Sequence, residues 1–207
     1  MFFIAHRGLY NDSIGENTIS AFDNAWSNAF DGIELDVRKT KDKKIVVIHD
    51  SFISRVSNGS GLVKHHNYSE LLKYNFGKAS IERIPLLEQV LCRYQNKLIM
   101  IELKEDINIS DLNLNSKNNY YISSFNYDYI KKIPENSNYK RGIINNLINT
   151  NINLENIDFI MILEAFFSKE VYDYYTSKNI EVIIYGIGNK INLNLFSKDF
   201  PNIKCII

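Results

Sequence analysis

Short β-type runs recur along the chain at Phe2 to His6, Gly32 to Val37, Leu98 to Leu103, Tyr120 to Ser124, Arg141 to Asn145, Phe159 to Leu163, Glu181 to Ile187 and Ile203 to Ile207. Between several of them the apolar positions repeat at helical spacing, over Thr18 to Phe30, Pro85 to Tyr94 and Lys169 to Ser177. Strands alternating with helices in this way predict βα units around a parallel sheet, an α/β fold. A closed (β/α)8 barrel of the TIM type is the natural reading, and a doubly wound open sheet satisfies the same alternation. The connections after Leu103 and after Asn145 are too short for full helices, so the barrel is expected to be shortened in its second half. A further run, Ile45 to Ile48, follows the second strand through "TKDKK" and reads as a hairpin extension with an exposed tip. Residues 51–84 then form a small inserted cap region before the next barrel helix. Residues 1–207 show no repeat or linker and read as one domain.

Strand alternation converts this pattern into chemistry. In "GIELDV", Glu34 and Asp36 share one face while Ile33, Leu35 and Val37 occupy the other. In "LIMIELK", Glu102 and Lys104 are set apart from Ile99, Ile101 and Leu103 by the same rule. If both strands belong to one barrel, the apolar sets pack under the helices and the charged sets converge at the strand C-termini, where barrel active sites lie. Three carboxylates gathered there repel and resist desolvation unless a positive charge sits among them. Ligation by oxygen alone from Glu34, Asp36 and Glu102 suits a hard divalent cation, Mg2+ or Ca2+, rather than zinc.

His6 ends the first strand and His49 ends the hairpin strand, so both are expected at the same rim. Two imidazoles beside such a site can divide general base and general acid work near neutral pH. Arg7 offers a planar fork of donors suited to a phosphate, and Gly8 lets the backbone turn sharply after the strand.

Composition narrows the partners. Lysine plus arginine and aspartate plus glutamate stand at 24 each, so net charge suggests neither nucleic acid nor a basic membrane-binding surface. A small-molecule partner is expected. No charged leader precedes an apolar run, and no stretch approaches the roughly 18 apolar residues of a membrane span. A cytoplasmic protein without stable membrane insertion is therefore expected. The two cysteines, Cys92 and Cys205, lie outside any metal-ligand spacing and read as core residues.

Taken in order, "IAHRG", "ENTISAF", "GIELDVRKTKDKKIVVIHD", "SRVSNGSG", "IPLLEQVL" and "IELK" resemble the glycerophosphodiester phosphodiesterase family over roughly the first half of the chain. The resemblance implies a (β/α)8 barrel that hydrolyses a glycerophosphodiester to glycerol phosphate and an alcohol. It implies a divalent cation on Glu34, Asp36 and Glu102, acid/base roles for His6 and His49, and phosphate contact by Arg7. It further implies that Glu16 and Asn17 support the site, that Asp50 orients His49, that Lys104 meets the phosphate or a ligand carboxylate, and that residues 51–84 cover the glycerol side. Read locally, Asn17 or Thr18 is instead a helix cap, Asp50 caps a turn, and Lys104 is a counter-ion for the carboxylates. The chain departs from the family pattern at Gly15, where proline is usual, at Lys43 or Lys44, where the hairpin usually has glycine, and in "VIIYGIGN", where Tyr185 stands in for a tryptophan as an apolar wall for the substrate. Two other functions share the fold: a phosphate-ligand binding barrel without catalysis, and a phospholipase D-type phosphodiesterase acting on choline-bearing lipids.

Overall fold

The computed structural model describes residues 1–136, 138–145, 153–187, 198–200 and 202–207. Eight parallel strands close on one another: β1 (Phe2–Ala5), β2 (Gly32–Lys39), β4 (Leu98–Leu103), β5 (Asn119–Ser124), β6 (Tyr139–Asn145), β7 (Phe159–Leu163), β8 (Glu181–Tyr185) and β9 (Lys204–Ile206), with β9 returning to β1. The short β3 (Ile45–Val47) pairs antiparallel with β2 as the expected hairpin extension. The closed barrel, not the open sheet, is therefore the fold.

Register places the chemistry. Along β2 and β4, Ile33 pairs with Ile99, Leu35 with Ile101 and Asp36 with Glu102. The isoleucines and leucines join Val37 and Leu103 in a buried layer outside the barrel. Helices α1 (Ile19–Ser27) and α3 (Leu87–Arg93) cover that layer through Phe22, Ala25, Leu87 and Val90. Complete burial of a side chain such as Phe22 stabilises the fold by about 1.5–3 kcal/mol. Inside the barrel a second cluster of Ile4, Met100, Tyr121, Phe159, Met161, Ile183 and Ile206 fills the lumen. Gly142 makes room there, since a Cβ at this position would stand 2.2 Å from the Phe159 ring.

Where the elements end, local backbone decides. Thr18 caps α1, its hydroxyl accepting from the Ala21 N–H at 3.2 Å, so the cap is Thr18 rather than Asn17. The helix stops at Ser27, short of the predicted Phe30, because Ala29 adopts φ +57°. Likewise α3 starts two residues after Pro85: Leu86 bridges Val46, and the Pro85 carbonyl accepts from Val47 N–H at 2.9 Å, holding that segment extended. β8 ends at Tyr185, where Gly186 turns at φ +73°.

The second half is trimmed as expected where it is described. A single 3-10 turn, Ile109–Leu112, follows β4, and a one-turn helix, α4 (Tyr127–Ile130), follows β5. Helix α5 (Lys169–Thr176) follows β7. Residues 146–152, the first part of the connection after Asn145, lie outside the described residues. Within the insertion, a one-turn helix, α2 (Tyr68–Leu71), and Ile53, Val63, Phe76 and Ile84 pack with Val46 and Ile48 of the hairpin into a small core of their own. Cys205 is buried, but Cys92 is exposed: it falls on the outer face of α3, so it is not a core residue. Among the described residues no helix is long and apolar enough to cross a membrane.

Candidate active site

Glu34, Asp36 and Glu102 meet inside the C-terminal mouth of the barrel, each buried, with one carboxylate oxygen from each within 4.8 Å of the others. The cause is the register: Asp36 and Glu102 are paired on adjacent strands, and Glu34 lies one pleat repeat below. Such crowding is electrostatically costly. Burial, then the charges of Asp36 and Glu102, raise the Glu34 carboxyl well above its usual range. Burial and Asp36 push Glu102 up to about 7, against the pull of Lys104. Asp36 Oδ1 is buried without a hydrogen-bond partner. Excess acid, oxygen donors alone and an orphaned carboxylate oxygen together fit a hard cation held by these three residues.

The "HRG" segment folds over this group. Arg7 and Gly8 both take left-handed backbone, at φ +57° and +75°. Glycine is required at the second, where a Cβ would lie 2.7 Å from the Ala21 carbonyl carbon. The turn aims the Arg7 N–H at Glu34 Oε2, 3.0 Å away, and its guanidinium at Glu16 (2.9 Å) and Asp36 (3.3 Å). His6 Nε2 stands 4.0 Å from Glu34. Desolvation at the mouth, then the Arg7 cation, push this half-buried imidazole down to about 4.

Asn17, at φ +56°, is bound to both sides. Its N–H donates to the Arg7 carbonyl (2.9 Å), its Nδ2 donates to Asp36 Oδ2 (2.9 Å), and its Oδ1 accepts from the Asp36 N–H (3.3 Å). Gly15, the departure from proline, sits where a Cβ would be 2.6 Å from the Phe76 carbonyl, so the insertion packs too closely for a side chain. Lys104 Nζ lies 2.5 Å from Glu102 Oε1 and 3.6 Å from Asp36 Oδ1, as a counter-ion would. Beyond it the half-exposed Phe125 ring is 5.7 Å from that nitrogen. Tyr185, half-buried at the end of β8, has its hydroxyl raised by burial and by the Glu102 charge, which it faces. Gly188 and Asn189 of the same motif lie outside the described residues.

At the other side of the mouth, His49 Nδ1 is 2.7 Å from Asp50 Oδ1. Arg55, which the sequence reading passed over, forks between Asp50 and Glu16. Its hydrogen bonds hold the Asp50 carboxyl far below the usual carboxylate range. Ser123 was also missed: it pairs in register with Glu102, is fully buried, and its hydroxyl has no hydrogen-bond partner. Only the strand register reveals it, because "YYISS" does not alternate.

Comparison with known proteins bears on this arrangement. The sequence profile of the glycerophosphoryl diester phosphodiesterase family matches residues 6–146. YhdW of Bacillus subtilis (strain 168) is 50% identical over 110 residues, covering 50% of this chain and 45% of that protein. A glycerophosphodiester phosphodiesterase of Caldanaerobacter subterraneus is 44% identical over 111 residues, with the same coverage of 50% and 45%. The chain spans about half the length of the curated relatives it matches. In fold it resembles an Oleispira antarctica phosphodiesterase solved in complex with the product sn-glycerol-3-phosphate, with a TM-score of 0.84 at 22% identity, covering 100% of this chain and 92% of the other.

Proposed function

The chain belongs to the glycerophosphoryl diester phosphodiesterase family, and on that footing we propose that it hydrolyses a glycerophosphodiester to glycerol phosphate and an alcohol, with a divalent cation, Mg2+ or Ca2+, held by Glu34, Asp36 and Glu102. The observation that carries this reading is the convergence of these three buried carboxylates, from two strands in register, beneath Arg7 and two histidines. When bound, the cation supplies positive charge to the phosphodiester and polarises its phosphorus–oxygen bonds.

Arg7 adds a fixed guanidinium to the phosphate oxygens, and Asn17 holds Asp36 in place. His6, kept uncharged at neutral pH, accepts the proton of the nucleophile, either water or the neighbouring glycerol hydroxyl. His49 gives its proton to the departing alkoxide. The Asp50 carboxylate accepts from Nδ1 of His49, leaving Nε2 to face the substrate. Lys104 balances the acids and offers its charge to the phosphate, while Phe125, near the Lys104 nitrogen, and Tyr185 at the end of β8 offer apolar walls for the substrate.

A panel of glycerophosphodiesters, assayed with and without chelator by coupled detection of glycerol 3-phosphate, tests the proposal. Chelator should abolish product release, and Glu102→Gln and His49→Ala should each cost at least about 10²-fold in rate. Full turnover in chelator would overturn the metal assignment. Tight binding of the diesters without turnover would point instead to a phosphate-ligand binding barrel.

A further inference from the structure

We propose that Arg55, on the inserted segment, is a positioning residue that fixes His49 and couples it to Arg7 through a continuous chain of shared carboxylate oxygens. This deepens the hydrolytic reading above and rests on it for its kinetic consequences.

The chain of contacts is specific. Arg55 Nε and one terminal nitrogen donate to the two oxygens of Asp50 at 2.5 and 3.1 Å. The terminal nitrogens also donate to the two oxygens of Glu16, at 2.8 and 2.7 Å. Each carboxylate is then shared once more. Asp50 Oδ1 also accepts from His49 Nδ1 at 2.7 Å, and Glu16 Oε1 also accepts from Arg7 at 2.9 Å. The result is an alternating row, Arg7, Glu16, Arg55, Asp50, ending on the His49 ring, in which each carboxylate sits between two hydrogen-bonding partners.

Only a guanidinium serves here. Its planar fork grips two carboxylates at once, whereas an ammonium grips them as a point and fixes neither plane. An isolated exposed ion pair contributes little, and bidentate geometry within a network of several charges is the case in which such pairs hold a conformation. Arg55 is also held from behind. Ile53 is fully buried in the small core of the insertion, and its carbonyl accepts from Val56 N–H (3.3 Å) and from the Ser57 hydroxyl (2.8 Å). The fork is thus presented from a rigid turn. Its effect on His49 is indirect: with Arg55 in place Asp50 is ionised and oriented, so Nδ1 of His49 must donate and its ring plane is set.

The test uses the full chain as Arg55→Ala, Arg55→Lys and, as a control for loosening the insertion, Arg83→Ala, which removes a single bond to the Tyr74 carbonyl away from the site. Steady-state kcat and KM are measured on glycerophosphocholine well below the melting temperature of each variant. The Nδ1–H signal of His49 is followed by 15N-edited NMR. Arg55→Ala should lower kcat at least tenfold with KM within threefold, and should shift or broaden the His49 signal away from its hydrogen-bonded position. Arg55→Lys should fall between it and the parent, and Arg83→Ala should match the parent in both readouts. An unchanged kcat, an equal loss in Arg83→Ala, or an undisturbed His49 signal in Arg55→Ala would overturn the proposal. If the parent protein turns over no glycerophosphodiester, the hydrolytic reading fails by itself, and the NMR comparison alone decides whether Arg55 positions His49.

Discussion

Asn17 shows how much one side chain settles at this site. Its left-handed backbone, which asparagine tolerates better than most residues, lets one amide brace Asp36 through two hydrogen bonds. Asn17→Ala should weaken divalent-cation affinity about 10- to 100-fold, the usual cost of losing a partner that orients a ligand; calorimetric titration with Mg2+ and Ca2+ checks it, and unchanged affinity would show the brace to be idle. The carboxylates themselves were legible in the sequence because a strand has period two and "ELD" and "IEL" declare their faces. His6 and His49 were legible as strand ends. The string "SRVSNGSG" was legible as part of the resemblance, but the role of Arg55 within it was not: its partner Glu16 lies 39 positions away, and the segment has no period to read.

At the level of elements, the eight barrel strands and three longer helices were readable from apolar runs and helical spacing, whereas their ends depended on single backbone conformations at Ala29, Leu86 and Gly186. The insertion resisted reading for a related reason. Its short turns draw stability from a private core shared with β3, which no local pattern announces. The hairpin tip carries a testable strain. Lys43, one of the two positions at which the resemblance implies a hairpin glycine, takes φ +63°, and its side chain is exposed. Lys43→Gly should therefore leave activity intact and stabilise the protein by up to about 1 kcal/mol, since a left-handed non-glycine residue costs on the order of 1 kcal/mol or more. Chemical denaturation of the two proteins measures it; a loss of stability would show that unfolded-state entropy outweighs the strain.

Over the whole molecule, the buried acids tie stability to cation and pH. The His6 ring, lowered to about 4 in the folded chain, binds fewer protons than its unfolded counterpart until pH passes about 7.5, so below that it adds a smaller slope, opposite in sign to that of the acids, and above it none. Glu34 and Glu102 behave otherwise: their folded values are raised, so the folded state binds more protons than the unfolded and stability falls as pH rises. Cation-free protein should lose Tm between pH 6.5 and 8. A divalent cation at a hundred times its Kd should restore about 2.7 kcal/mol, roughly 5–10 °C for a chain of this size. A flat profile, or one indifferent to the cation, would remove the acids from the role given them. Differential scanning calorimetry with and without chelator decides it.

The pairing of Asp36 with Glu102 has a wider consequence. Sliding β2 by a single position against its neighbour would thrust acids beneath the helices and drop isoleucine and leucine into the lumen, so such a molecule would not persist. The register that buries the apolar layer is the same one that gathers the three acids, so a chain folded well enough to hide its isoleucines has already assembled the carboxylate cluster.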